Sequence, residues 1–151
     1  MILRKYQPDD FKEVLSLFKE TVQKINCKEY TQEQIDAWIQ IDPVQFKEKL
    51  DMHKSYVVID QDKIVGFGDI DSFGYLDHLY VAADYQRMQI ATVLTSQLEK
   101  EVTGPVYTDA SITARSFFEH RKYKVITDQI VVKKGVKLKN FKMVLIRNLE
   151  K

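Results

Sequence analysis

Gln86 and Arg87 are the residues whose types and placement point most directly to chemistry. They stand between an apolar, β-branched and aromatic run, Leu79, Tyr80 and Val81, and a helical pattern carried by Ile90, Val93, Leu94 and Leu98. The run reads as a strand, Ala83, Asp84 and Tyr85 as a short turn, and the remainder as a helix. A loop feeding a helix leaves backbone N–H groups without acceptors at the positive end of the helix dipole. With Arg87 beside them, such groups suit an anion, a phosphate above all. An ordinary βα turn with a surface arginine has the same spacing, so the segment alone leaves both readings open.

The stretch Gln86 to Ala91, QRMQIA, resembles Gln/Arg-x-x-Gly-x-Gly/Ala, the acetyl-CoA signature of the GCN5-related N-acetyltransferase (GNAT) family, in its first, second and last places. It departs at Gln89, where the family usually has Gly. A side chain there risks crowding a pyrophosphate wrapped by backbone N–H groups, so Gln89 is expected at negative φ with its side chain leaning away. Downstream, Ser111 to Tyr123, SITARSFFEHRKY, is similar to the family's Asn-x-x-Ala-x-x-Phe-Tyr-Glu-Lys-x-Gly-Phe helix. The two motifs occur in the family's order and spacing. The segments DASITARSFFEH, YQPDDF, YTQEQIDAWIQID and NFKM resemble a bacterial subgroup, the YafP-like acetyltransferases, so the likeness covers nearly the whole chain.

The resemblance implies an acyltransferase using acetyl-CoA. It implies that Leu79, Tyr80 and Val81 offer backbone groups to the pantetheine arm. Gln86, Arg87, Met88, Gln89, Ile90, Ala91 and Thr92 would hold the pyrophosphate, with Ser111, Ala114, Phe117 and Phe118 completing the cofactor side. The helical region after the first strand would wall the acceptor site, which makes Tyr30 and Trp38 candidates for substrate contact. Transfer to an amine also needs a proton acceptor, and Asp77 and His78 are adjacent on the central strand. Side chains alternate along a strand, so one of the two is expected to face the cleft; Asp77, sharing a face with Leu79 and Val81, is favoured. The family often places a tyrosine at the position of Phe118 to protonate the departing thiolate, and phenylalanine has no hydroxyl. Tyr107, Tyr123 or the ammonium of the intermediate would have to substitute. Lys122 replaces the glycine at the end of the family's helix, implying a helix exit that avoids positive φ.

The elements that must position these groups are legible from periodicity. Met1 to Tyr6 alternates as a strand, and Phe11, Val14, Leu15, Phe18, Val22 and Ile25 recur at helical spacing over residues 9 to 25. Thr31 with Gln34 is a capping box, and Asp42 with Pro43 opens a third helix. Ser55 to Ile59 and Ile64 to Ile70 form a hairpin that leads to the strand ending at Val81. Val106 to Thr108 reads as a short strand, Thr113 as the cap of the next helix, and Val125 to Val132 with Leu138 to Ile146 as a last hairpin. The order βαααβββαβαββ agrees with an α/β (α+β) class: a mixed, largely antiparallel six- to seven-stranded sheet flanked by helices, the acyl-CoA N-acyltransferase fold.

Composition bounds the partners. The chain has 151 residues, 44% of them hydrophobic, which suffices for one domain over residues 1–151 without disulfide or metal staples. Its 23 basic and 22 acidic residues nearly cancel, so nucleic acid and anionic membranes are not expected partners. Cys27 is the single cysteine, and no apolar run approaches a membrane span or a signal peptide, which favours the cytoplasm. No metal ligand set is expected. The expected function is transfer of an acetyl group to a primary amine of a small molecule or peptide, without a covalent enzyme intermediate. A homodimer is compatible with the sequence. The alternative is a non-catalytic acyl-CoA-binding or regulatory domain.

Overall fold

The computed structural model describes residues 1–147. Seven strands form one sheet in the order β1-β2-β3-β4-β5-β7-β6: β1 Ile2–Lys5, β2 Lys54–Asp60, β3 Lys63–Ile70, β4 Tyr75–Val81, β5 Val106–Ser111, β6 Lys124–Lys133 and β7 Val136–Leu145. All neighbours are antiparallel except β4 and β5. These two run parallel and pair only at Tyr75 with Tyr107 and Leu76 with Thr108. Beyond Leu76 they part, and the edge of β4 that would face β5 has no strand beside it.

Helix α1 (Phe11–Lys24) follows a 3₁₀ turn at Pro8–Asp10, where Asp10 accepts from the Gln7 N–H at 2.8 Å and pairs with Arg4. Its buried face is Val14, Leu17, Phe18, Thr21 and Val22, so Leu17 takes the core place and Leu15 is only partly buried. Helix α2 (Gln32–Trp38) starts at the expected box: Thr31 Oγ1 accepts from Gln34 N at 3.2 Å and Gln34 Oε1 from Thr31 N at 2.8 Å. Helix α3 (Pro43–Met52) is capped by Asp42, whose Oδ1 accepts from Val44 N at 2.9 Å. These three helices cover one face of the sheet, with Phe46, Leu50, Val57 and Phe67 at the centre of that core.

The other face carries α4 (Ile90–Lys100), around which Ile70, Leu76, Leu94, Leu98 and Phe118 are buried. Gly66 and Gly68 on β3 let α4 settle close to the strand: a Cβ at Gly66 would lie 2.8 Å from Ile90 Cγ2, and one at Gly68 3.0 Å from Leu98 Cδ1. Helix α5 (Arg115–His120) is short, and its cap is Ala114 with no side-chain bond. Thr113 does not cap it. Its hydroxyl instead donates to Glu29 at 2.8 Å and accepts from Asn26 Nδ2 at 3.1 Å, tying the end of β5 to the segment after α1.

The exit of α5 also departs from expectation. Lys122 takes φ +76°, the left-handed conformation it was expected to avoid. Lys122 N donates to Glu119 O and Tyr123 N to Phe118 O, each at 3.0 Å, the paired bonds that close a helix on a left-handed residue. The Phe118 and Tyr123 rings, 5.0 Å apart, supply the apolar contact that accompanies this closure and hold the lysine there.

Candidate functional site

Where β4 and β5 part, a cavity of about 430 Å³ opens between the two faces of the sheet. Its walls are Thr21, Ile25 and Asn26 from α1 and its end, Trp38 from α2, Leu76 to Val81 except His78 from β4, Thr108 to Ser111 from β5, and Phe117 and Phe118 from α5. Its mouth is the loop after β4 and the start of α4: Tyr85, Gln86, Arg87, Gln89, Ile90, Ala91 and Thr92. Met88 lies outside the lining and is exposed.

That loop is braced from below. Gln86 Nε2 donates to Val81 O at 2.7 Å and Tyr85 Oη to Asp60 Oδ2 at 2.8 Å. Gln86 therefore turns inward to hold the strand end and does not stand free at the mouth. Arg87 and Gln89 both adopt left-handed backbone, φ +64° and +67°. The negative φ expected at Gln89 is not what the fold requires, because the chain must reverse from β4 into α4 within a few residues. Gln89 is the cap of α4 and makes no side-chain bond to its N–H groups, so the first turn keeps its donors open toward the cavity. Among the described residues Arg87 takes part in no ion pair. Open helix N–H groups with a free guanidinium form a locus for anions.

At the inner end, β4 carries a bulge. Asp69 of β3 pairs with His78 and Ile70 with Leu76, which leaves Asp77 as the extra residue. Asp77 lines the cavity, 3.6 Å from Lys49 Nζ, and its side chain is 14% exposed. His78 does not line it. Its ring packs 4.8 Å from Phe46, and Nδ1 bonds Asp69 Oδ1 at 2.8 Å. Asp69 is fully buried and also holds His53 Nδ1, at 2.7 Å from Oδ2. Burial alone would push the Asp69 carboxyl up, but the two imidazoles outweigh it and hold the group below the usual carboxylate range. His53 is raised, chiefly by its bond to Asp69. Burial pulls His78 down, yet the Asp69 charge and bond, with Asp77 beyond, leave it raised. Through these bonds the titrations of the three groups are coupled.

Several sequence-derived expectations change here. Tyr30 was expected at the acceptor wall, but it is buried outside the lining. Its hydroxyl accepts from Ile112 N at 2.9 Å and donates to Lys139 O at 2.6 Å, a strut between the end of β5 and β7. Trp38, its ring 5.1 Å from Tyr30, does line the cavity. Tyr123 is buried with its hydroxyl committed to Glu99 Oε2 at 2.7 Å, and Tyr107 is exposed, so neither is in reach as a proton donor at the cavity. Asp109 lines the cavity and was missed. It accepts from Tyr75 Oη and Gln129 Nε2, both at 3.0 Å. Asp69 and His53 were missed as well, because the partners lie 16 and 9 residues apart in sequence with no shared periodicity.

With the geometry in place, comparison with known proteins assigns the chain. The family model for the acetyltransferase (GNAT) domain matches residues 26–145. The chain belongs to the GNAT family. It is an acyltransferase of that family. An uncharacterized N-acetyltransferase, YafP, of Escherichia coli (strain K12) is 37% identical over 142 residues, covering 93% of each chain. The crystal structure of a GCN5-related N-acetyltransferase from Rhodopseudomonas palustris superposes with TM-score 0.93 at 28% identity, covering 97% of this chain and 95% of that one. The PaiA N-acetyltransferase of Thermoplasma acidophilum, solved in complex with coenzyme A, shares the fold with TM-score 0.73 at 14% identity over 97% and 98% of the two chains. Among the described residues no helix is long and apolar enough to cross a membrane.

Proposed function

We propose that this GNAT chain moves the acetyl group of acetyl-CoA to a primary amine of a small molecule or peptide, by direct attack in a ternary complex. The observation that carries the reading is the continuity of one cavity from the anion locus at Arg87 and α4 to the Asp77 carboxylate and Trp38. The pyrophosphate would lie on the N–H groups of the Gln89 to Thr92 segment beside Arg87. Pantetheine would run along the unpaired edge of β4 at Leu79, Tyr80 and Val81, with Ser111, Ala114, Phe117 and Phe118 on its other side.

The acceptor would enter past Trp38 as an ammonium, drawn by Asp77. The carboxylate takes the ammonium proton, directly or through a water, and the free amine nitrogen attacks the thioester carbon. The C–S bond then breaks, nitrogen keeps the acyl group, and the excess proton on nitrogen passes out with the thiolate. A thiolate whose conjugate thiol has a pKa of about 8.5 leaves acceptably at neutral pH, so the absence of a hydroxyl at Phe118 slows the step without preventing it. Cys27 is an exposed, unpaired thiol, which suits the reducing cytoplasm in which we place the reaction.

The test is acetyl-CoA consumption over a panel of primary amines, with CoA binding measured in parallel. Asp77→Asn is expected to lower the single-turnover rate at least about 10²-fold, the scale of a lost general base. His78→Gln should cost less than tenfold. Full rate in both variants with binding intact puts the base outside β4. CoA binding with no turnover on any amine favours a non-catalytic acyl-CoA-binding domain.

A further inference from the structure

Asp69 lies outside the cavity, yet one carboxylate there ties three elements together. Oδ1 accepts from the His78 backbone N–H at 2.9 Å and from His78 Nδ1 at 2.8 Å, while Oδ2 accepts from His53 Nδ1 at 2.7 Å. His53 closes α3, Asp69 is on β3 and His78 on β4. A carboxylate can only accept, so both imidazoles present an Nδ1–H to it. With both oxygens engaged, the carboxylate cannot rotate away.

What this grip holds is the bulge. Strict alternation would carry the face of Val81 and Leu79 on to Asp77, setting a carboxylate among the apolar side chains under α4, and would turn Leu76 to the opposite face. The observed packing differs. Leu76, Leu79 and Val81 all pack in the α4 core, His78 and Tyr80 lie on the side of α1 and α3, and Asp77 is the spare residue. The His78 N–H on the far side of that spare residue goes to Asp69 Oδ1. The same clamp keeps the His78 ring against Phe46 and out of the cavity.

We infer that Asp69 is a positioning residue for acyl transfer: its hold on His78 and His53 fixes the β4 bulge that delivers Asp77 to the cavity. The role rests on reading Asp77 as the proton acceptor. Two measurements separate the inference from that reading. In Asp69→Ala, amide hydrogen exchange at Leu76, Asp77 and His78 should accelerate at least tenfold, with Gly66 to Gly68 unchanged. With the fastest amine of the panel, the same variant should lose at least tenfold in kcat while the KM and Kd for acetyl-CoA hold. The double variant Asp69→Ala/Asp77→Asn should be no slower than Asp77→Asn alone. Should Asp69→Ala fail to fold, Asp69→Asn, which loses the charge and one acceptor, should raise exchange at the same three residues at least threefold. Unchanged exchange overturns the inference, and so does a double variant slower than Asp77→Asn by the full factor of the Asp69 change. Faster exchange combined with full rate in Asp77→Asn removes Asp77 as the acceptor, and with it the catalytic role of Asp69.

Discussion

Replacing Gln89 with glycine tests the reading of the phosphate loop most directly, because sequence and structure predict opposite signs. As a residue in a helical turn, glycine at 89 would cost up to about 1 kcal/mol. The structure places Gln89 at φ +67° and ψ +10°, before the first turn of α4. A residue with a Cβ pays roughly 1–2 kcal/mol there, which glycine avoids. Against that gain stands the wider freedom of glycine in the unfolded chain, about 0.4–1 kcal/mol. The side chain makes no cap bond whose loss would add to the cost. The balance is a stabilisation of about 0.5–1 kcal/mol, or a rise in Tm of roughly 1–4 °C for a chain of this size. Thermal and urea unfolding read the stability, and calorimetry reads acetyl-CoA affinity, expected to hold or tighten as space opens by the helix N–H groups. A lower Tm would refute the strain argument. Weaker binding at unchanged stability would show that the Gln89 amide itself donates to the ligand.

Arg87→Glu should weaken acetyl-CoA binding at least tenfold by calorimetry, since it reverses the charge beside the α4 donors; unchanged affinity would put the phosphates elsewhere. Lys122→Gly, at φ +76°, should raise the urea midpoint by the equivalent of about 0.5–1 kcal/mol, with CoA binding untouched. The clamp makes stability pH-dependent. His53 and His78 are raised, so their contribution is complete below about pH 6.5 and fades as pH climbs through their higher native values. Asp69 is lowered, so its contribution is present above about pH 4 and disappears as pH falls through its native value. Asp77 acts on both histidines, and Asp71 on His53, in the same direction as Asp69, while Lys49 opposes at His78. The stability advantage of wild type over Asp69→Asn should therefore peak between about pH 4 and 6.5 and shrink toward pH 9; a difference flat across that range would mean both imidazoles are neutral throughout.

Features that rest on local spacing are legible in the sequence. The helical recurrence of Val14, Phe18 and Val22, the Thr31–Gln34 box, the Asp42 cap and the order of strands and helices all appear as read, because each depends on residues within four positions of one another. The anion loop was legible for the same reason: strand, turn and helix start are contiguous. The inner end of the cavity depends instead on contacts between distant strands. Asp77 was favoured by alternation, but it reaches the cavity because a bulge breaks alternation, and the bulge depends on Asp69, opposite on β3. Tyr30 became a strut because its hydroxyl meets Ile112 and Lys139, 82 and 109 residues away. Gln89 and Lys122 accept left-handed backbone because α4 and α5 are packed where their chains must reverse at those points. Packing of distant elements can impose a strained φ of about 1–2 kcal/mol on a residue whose local preference opposes it, and local preference is all that spacing reports.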